Sequence, residues 1–256
     1  MGVWFENLEE CMKWMKKNQP EVYRRRLKIR FLERRLITIK RQAESIAFSA
    51  SRLGLQNVDN SLIHKEYARC RRWITELRND LIWLVEEEDI YVEYLRKIPI
   101  FKSHAISAIL IGEIFHPARF KYGSKLCSYA GISPKGVKRI SKQLGFVPNL
   151  RLKYALLWEA FLPAVRLMRR MMKTNVRRGL IGRFIEHYLK LKEKHKDYNE
   201  VRLLRGAWRR VMREFLCALW HDWLRLEGFS EEEIPPPYPE YYLKHHHIIR
   251  SLTEFF

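Results

Sequence analysis

Two runs of apolar residues, spaced alternately three and four apart, constrain this chain more than any other feature of it. Ile29, Leu32, Leu36, Ile39, Ala43, Ile46, Ala50 and Leu53 form the first. Cys70, Ile74, Leu77, Leu81, Leu84, Glu88, Tyr91 and Leu95 form the second, with Glu88 its one charge. Residues three and four apart share one face of an α-helix, and strict alternation narrows that face to a coiled-coil seam. Gly54 and the mostly polar stretch from Gln56 to Ser61 separate the two runs. The spacing predicts two long helices joined by a short loop. Such a pair can bury both seams within one chain as an antiparallel hairpin, or protrude and pair with a second copy. The two arrangements can hold at different ends.

Helical periodicity continues outside the seams. Trp4, Phe5, Leu8, Met12 and Met15 mark a short amphipathic helix stopped by Pro20. Leu150 to Met172 is helical in pattern with an interruption near Pro163. Val176, Leu180, Phe184, Tyr188 and Leu191 make one further apolar face, and Val201, Leu204, Trp208, Val211, Phe215 and Leu219 another. The aromatics there stand at core spacing, which favours packing over stacking on bases. No strand pattern and no internal repeat is found. The expected fold is all-α, a long coiled-coil-like hairpin followed by a compact helical domain containing a helix-hairpin-helix-like unit. Its parts are residues 1–20, an amphipathic helix; 21–96, the hairpin, with an oligomerising role; 97–227, the compact domain; and 228–256, an acidic, aromatic, Pro-rich tail. The tail reads as a strap over the body or onto a partner.

Forty-nine Lys and Arg against 29 Asp and Glu give a net charge of +20, which makes an anionic polymer the expected partner. Placement sharpens this. Lys13 to Arg41 holds 12 basic and 2 acidic residues, Arg119 to Lys153 holds 9 basic and none acidic, and Arg166, Arg169, Arg170, Lys173, Arg177 and Arg178 follow with no acid between them. Arg24, Arg25, Arg26, Arg34, Arg35 and Arg41 lie off the first seam, either as solvated charges or as phosphate contacts. Their nearly unopposed sign favours phosphate. Cys11, Cys70, Cys127 and Cys217 form no C-x-x-C pair, so neither a zinc ribbon nor a disulfide framework is expected. With no signal-peptide pattern and no run near the ~18 apolar residues of a membrane span, the expected location is the cytoplasm, at the nucleoid if DNA is bound.

Motifs of catalysis are missing. There is no Gly-rich phosphate loop, no H-E-x-x-H and no G-x-S-x-G. Glu86, Glu87, Glu88 and Asp89 are consecutive on a helix and splay around its axis, so they cannot all face one ion. His245, His246 and His247 are able to bind a transition metal but read rather as solvated or capping groups. No metal and no cofactor is expected.

The stretch from Ile98 to Pro134 is the most specific part of the chain. A Pro-containing turn, a short apolar helix, a second Pro break, a basic helix and a Gly-Ile-Ser-Pro turn follow one another directly. A tight turn leading into a helix N-terminus presents backbone N–H groups to a phosphate. Ser103, with Lys102 and His104, can donate to one phosphate or act as a simple N-cap, and the roles are compatible. Ser133 and Ser141 also lie on basic turns but lack an adjacent base. The candidate nucleic-acid contacts are Lys102, Ser103, His104, Arg119, Lys121, Lys125, Lys135, Lys138, Arg139, Lys142, Arg151, Lys153, Arg169 and Arg170.

Ile98-Pro99, Ala105, Leu110, Glu113-Ile114, Pro117, Arg119-Phe120, Leu126, Tyr129 to Pro134 and Arg139 to Lys142, with Asn149, Leu152 and Ala155-Leu156 downstream, carry a resemblance. This central unit resembles the C-terminal domain of the IS-one-ten family of insertion-sequence transposases, the bridge-RNA-guided recombinases. In order of elements the likeness runs from about Leu27 to Leu226, since the family also places a long helical hairpin first. It implies a dimer or tetramer that binds DNA and guide RNA through basic helices. In the family, an acidic metal-binding nuclease domain and a nucleophilic serine share the catalysis. Here the acidic domain is not found, and only Lys135, Gly136, Val137 and Lys138 separate Pro134 from Arg139, without the family's serine. Ile100 and Lys102 replace two hairpin glycines. The expectation is therefore a DNA-binding protein of transposase kind, acting on duplex DNA as a homodimer or higher oligomer, without catalysis of its own and without membrane association. The alternatives are the DNA-binding subunit of an active recombinase with a separate nuclease partner, an RNA-binding ribonucleoprotein component, and a purely structural helical bundle.

Overall fold

A computed structural model describes residues 2–52, 62–133, 148–174, 177–236 and 251–256. Among them the fold is all-α, with no strand. Residues 2–5 are not helical, and the Phe5 N–H donates to Ala118 O at 3.1 Å. Helix α1, Leu8–Asn18, is capped by Asn7, whose side chain accepts from the Glu10 N–H at 2.9 Å. Pro20 then opens α2, Pro20–Arg52, at a position where a helix needs no N–H.

With 33 residues, α2 is about 50 Å long. It packs along α3, Leu62–Glu86. The pair is antiparallel, because Arg25 meets Glu88 while Lys40, Ala43 and Ala47 share a groove with Tyr67, Arg71 and Ile74. Ile29, Leu32, Leu36, Ile39 and Ala43 are buried, as are Cys70, Ile74, Leu81 and Leu84. Leu53 and the connecting residues lie outside the described part. The second seam is not one helix to Leu95. It breaks after Glu86, and Glu88, in extended backbone, starts the short α4, Asp89–Glu93, followed by a 3₁₀ turn at Leu95–Lys97. Glu88 is only 1% exposed, and its carboxylate is gripped by Arg25 and Arg26, so a buried charge pair sets the break.

Helix α5, His104–Ile114, is the central post, with every residue from Ile106 to Ile114 buried. It lies against α2 so closely that a Cβ on Gly112 would come within 3.1 Å of the Arg30 backbone. Helix α6, Gly123–Tyr129, follows. Leu150–Tyr154 is α7, and it runs through a π turn at Ala155–Glu159 into α8, Phe161–Thr174. The interruption therefore precedes Pro163, whose missing N–H falls in the first turn of α8, where no helical partner is required. Helices α9, Gly179–Lys194, and α10, Glu200–Leu226, complete the body. Every residue from Phe215 to Leu224 of α10 is buried, and Phe101 stacks on Phe215 with centroids 4.1 Å apart. Val201 departs from its expected core position and is exposed, while Val176 lies outside the described residues.

The end of the tail lies on the body. Asp222 accepts from the Leu252 N–H at 2.6 Å and the Ser251 hydroxyl at 3.0 Å, and Phe255 packs edge-on to Phe215. Residues 237–250, with the three histidines, are not described. Among the described residues no helix is long and apolar enough to cross a membrane.

Candidate nucleic-acid interface

The cations of this chain fall into two populations, one turned inward and one turned outward. Inward, Glu113 near the end of α5 accepts from Arg34 at 2.9 Å and from the Asn149 side chain at 2.8 Å, with Arg30 3.6 Å away. Asn149 also donates to the Tyr129 hydroxyl at 2.9 Å and caps α7 by accepting from the Leu152 N–H at 2.9 Å. Arg119 donates to Ile114 O at 2.8 Å, satisfying a carbonyl at the end of α5, where Phe115 turns the chain with φ 64°. Arg151 pairs with Glu33. Burial lowers the Arg119 pKa, and it brings that of Arg151 down to about 10, so Arg151 remains charged at neutral pH. Glu113, Arg119, Tyr129 and Asn149, all among the residues of the resemblance, thus form one internal polar network.

A second buried cluster centres on Arg26. It donates to Glu88 at 3.0 Å, to Phe115 O at 2.9 Å and to Glu227 at 2.6 Å, and its guanidinium lies 5.1 Å from the Trp223 ring centroid. His116 accepts from the Ala118 N–H at Nδ1, which leaves Nε2 to donate to Glu227 at 3.3 Å. Burial alone would raise the Glu227 pKa, but Arg26 and His116 outweigh it and hold the carboxyl well below the usual range. Of the six arginines off the first seam, Arg25, Arg26 and Arg34 are therefore held in ion pairs, Arg34 while still half in solvent, and Arg24, Arg35 and Arg41 face solvent unpaired among the described residues.

The other candidate contacts are scattered. Lys102 and Ser103 are exposed before α5; Ser103 occupies the N-cap position, but its hydroxyl makes no capping bond. His104 is engaged by Glu86 and the Tyr91 hydroxyl, each at 3.1 Å. Lys121 and Lys125 are exposed, and Lys153 lies half-buried along Gly131. Ser133 is buried and shares a 2.7 Å hydrogen bond with Ser128. Lys135, Lys138, Arg139, Ser141 and Lys142 lie outside the described residues. Glu86 turns to His104, Glu87 to Arg25 and Glu88 inward, and no group of three or more His, Cys, Asp or Glu among the described residues could hold a metal ion.

Outward, α8 carries Arg166, Arg169, Arg170 and Lys173 in solvent, while Phe161, Ala164, Val165 and Met168 bury its opposite face. Helix α10 exposes Arg202, Arg205 and Arg209 on one face. One contact ties α10 to α8, and two tie it to the π turn before α8. Arg169 meets Glu200 at 3.4 Å, the Arg205 guanidinium lies 5.0 Å from the Trp158 ring centroid, and Trp208 Nε1 donates to Leu156 O at 2.7 Å. The result is a broad basic face bordered by exposed Trp158. Sequence reasoning singled out the α8 cations but missed those of α10, which interleave with core residues. The signal was present, since Val201 to Arg213 holds five arginines and no acid.

Compared with family models, curated proteins and solved structures, this chain matches none.

Proposed function

We propose that this protein binds duplex DNA through the basic face of α8 and α10, as a non-catalytic relative of the transposases that its central unit resembles. The observation that carries the proposal is the pair of exposed cation rows, Arg166 to Lys173 on α8 and Arg202 to Arg209 on α10, linked where Glu200 at the start of α10 meets Arg169. Exposed guanidiniums of this kind lose little hydration before contact and release counterions from the phosphate backbone on binding. The inward arginines stabilise the fold instead. The distal part of the α2–α3 pair, beyond its packing on α5, exposes Phe48 and Leu62, which supports association with a second copy there.

A salt titration of duplex binding tests this reading. Neutralising about five to seven phosphates gives log affinity against log salt a slope of about −5 to −6. A slope near zero, or no binding at low salt, would end it.

A further inference from the structure

Beside the basic rows runs a stripe of large side chains that the fold leaves uncovered. Tyr154 is 57% exposed, Trp158 49% and Leu162 61%, on consecutive turns of α7, the π turn and α8. Residues facing water at such spacing are normally polar, and Arg166 takes the next place in the row. Arg205 lies over the Trp158 ring, and half of that side chain remains open to solvent. The π turn matters here, because its wider winding swings Trp158 out while Leu156 and Leu157 stay in the core.

We propose that Trp158, with Tyr154 beside it, is a stacking platform for unpaired nucleobases, whose phosphates run along Arg166, Arg205 and Arg209. The inference rests on the phosphate-binding reading of the same face and adds a class of substrate to it, single-stranded segments such as unpaired ends or loops. Charge selects this occupant. A second copy of the chain would bring like-charged rows together, which opposes docking. A single strand supplies phosphates for the cations and a flat π face for each ring, a combination used for sequence-tolerant single-strand binding. In a duplex the bases are already stacked and paired, so Trp158 contributes nothing to duplex affinity.

The test uses the full chain and fluorescent probes of about 16 nucleotides: oligo-dT, oligo-U, an abasic strand of equal length, and a duplex. Trp158→Ala is expected to weaken oligo-dT or oligo-U binding on the order of tenfold, while duplex and abasic affinities stay within about twofold, the size of error that a surface change brings. Trp158→Phe should restore most of the loss. Preference between oligo-dT and oligo-U identifies DNA or RNA as the source of the bases. The inference is overturned if Trp158→Ala leaves both base-bearing strands unaffected, or weakens the abasic strand equally. Wild-type binding to the duplex with either of those results defeats only the platform. Failure to bind any probe defeats the phosphate-binding reading as well. Because Trp158 is half in water, circular dichroism of the variant should match the parent, so a lost affinity is not a lost fold.

Discussion

Arg26 Nη2 lies 2.6 Å from Glu227 Oε1, and this contact closes the molecule by joining the start of α2 to the residue that ends α10. Both side chains are buried, at 5% and 8% exposure, so the attraction acts with little screening by water. Arg26 also serves Glu88 and the Phe115 carbonyl, and one guanidinium thereby fixes the end of α3, the end of α5 and the end of α10. Removing it takes the shared cation from between two buried carboxylates, leaving Glu88 to Arg25 alone and Glu227 to His116 and Trp223. Arg26→Met is expected to destabilise the fold by about 3–5 kcal/mol, the range for breaking a buried pair from one side. Arg24→Met, on the exposed face of the same helix, is expected to change stability by less than about 0.5 kcal/mol. Urea unfolding of the two variants checks the contrast, and equal effects would mean that Arg26 is not structural.

Glu227 makes the same cluster sensitive to acid. Its folded pKa is depressed, so its contribution is fully present above the unfolded value near ~4.3 and is lost as pH falls from there toward the folded value. Unfolding free energy should therefore decline below about pH 5. Glu227→Gln is expected to be less stable than the parent at neutral pH and to show a shallower acid decline. Thermal melts from neutral pH down to about pH 3 read both slopes. If the slopes coincide, other carboxylates govern the acid response.

The seams were legible because burial on a helix leaves a period, and five of the eight positions of the first run are buried in the middle of α2. Periodicity could not show where the second run would break. The end of α3 is set by Glu88, whose partners Arg25 and Arg26 lie more than sixty residues away in sequence. The basic character of the chain was equally plain, but not which cations stay in water. Arg119 and Arg151 look like neighbours of Lys121 and Lys153 in the sequence, yet Ile114 O and Glu33 draw them inward. Whether an arginine meets a phosphate or a buried carboxylate depends on tertiary packing that the local pattern does not encode. The α8 cations were readable for the opposite reason, since their spacing alternates with an apolar face on the same helix.

The distal part of the helix pair makes an independent prediction. Phe48 and Leu62 are 66% and 75% exposed, and a second copy would cover them. Phe48→Glu combined with Leu62→Glu is expected to lower the sedimenting mass from a dimer or larger species to the monomer, with little change in melting at low protein concentration. A parent that sediments as a monomer would remove the hairpin as an oligomer interface and leave the basic face untouched.

The two populations of cations should separate in one binding experiment. Arg166→Glu with Arg170→Glu reverses two charges on the solvent face of α8, where neither has an ion-pair partner among the described residues. Duplex affinity should fall on the order of a hundredfold at low salt, and the salt slope should become shallower by about 2, one for each phosphate that no longer meets a cation. Stability should stay within about 0.5 kcal/mol of the parent. Arg119→Met is expected to do the reverse. It removes the donor to Ile114 O and costs about 1–3 kcal/mol of stability through the carbonyl left unpaired. Its salt slope should match the parent, because that guanidinium is already committed to the end of α5. Should Arg119→Met flatten the slope while the α8 double reversal leaves it unchanged, DNA would bind at the central unit and not on α8 and α10.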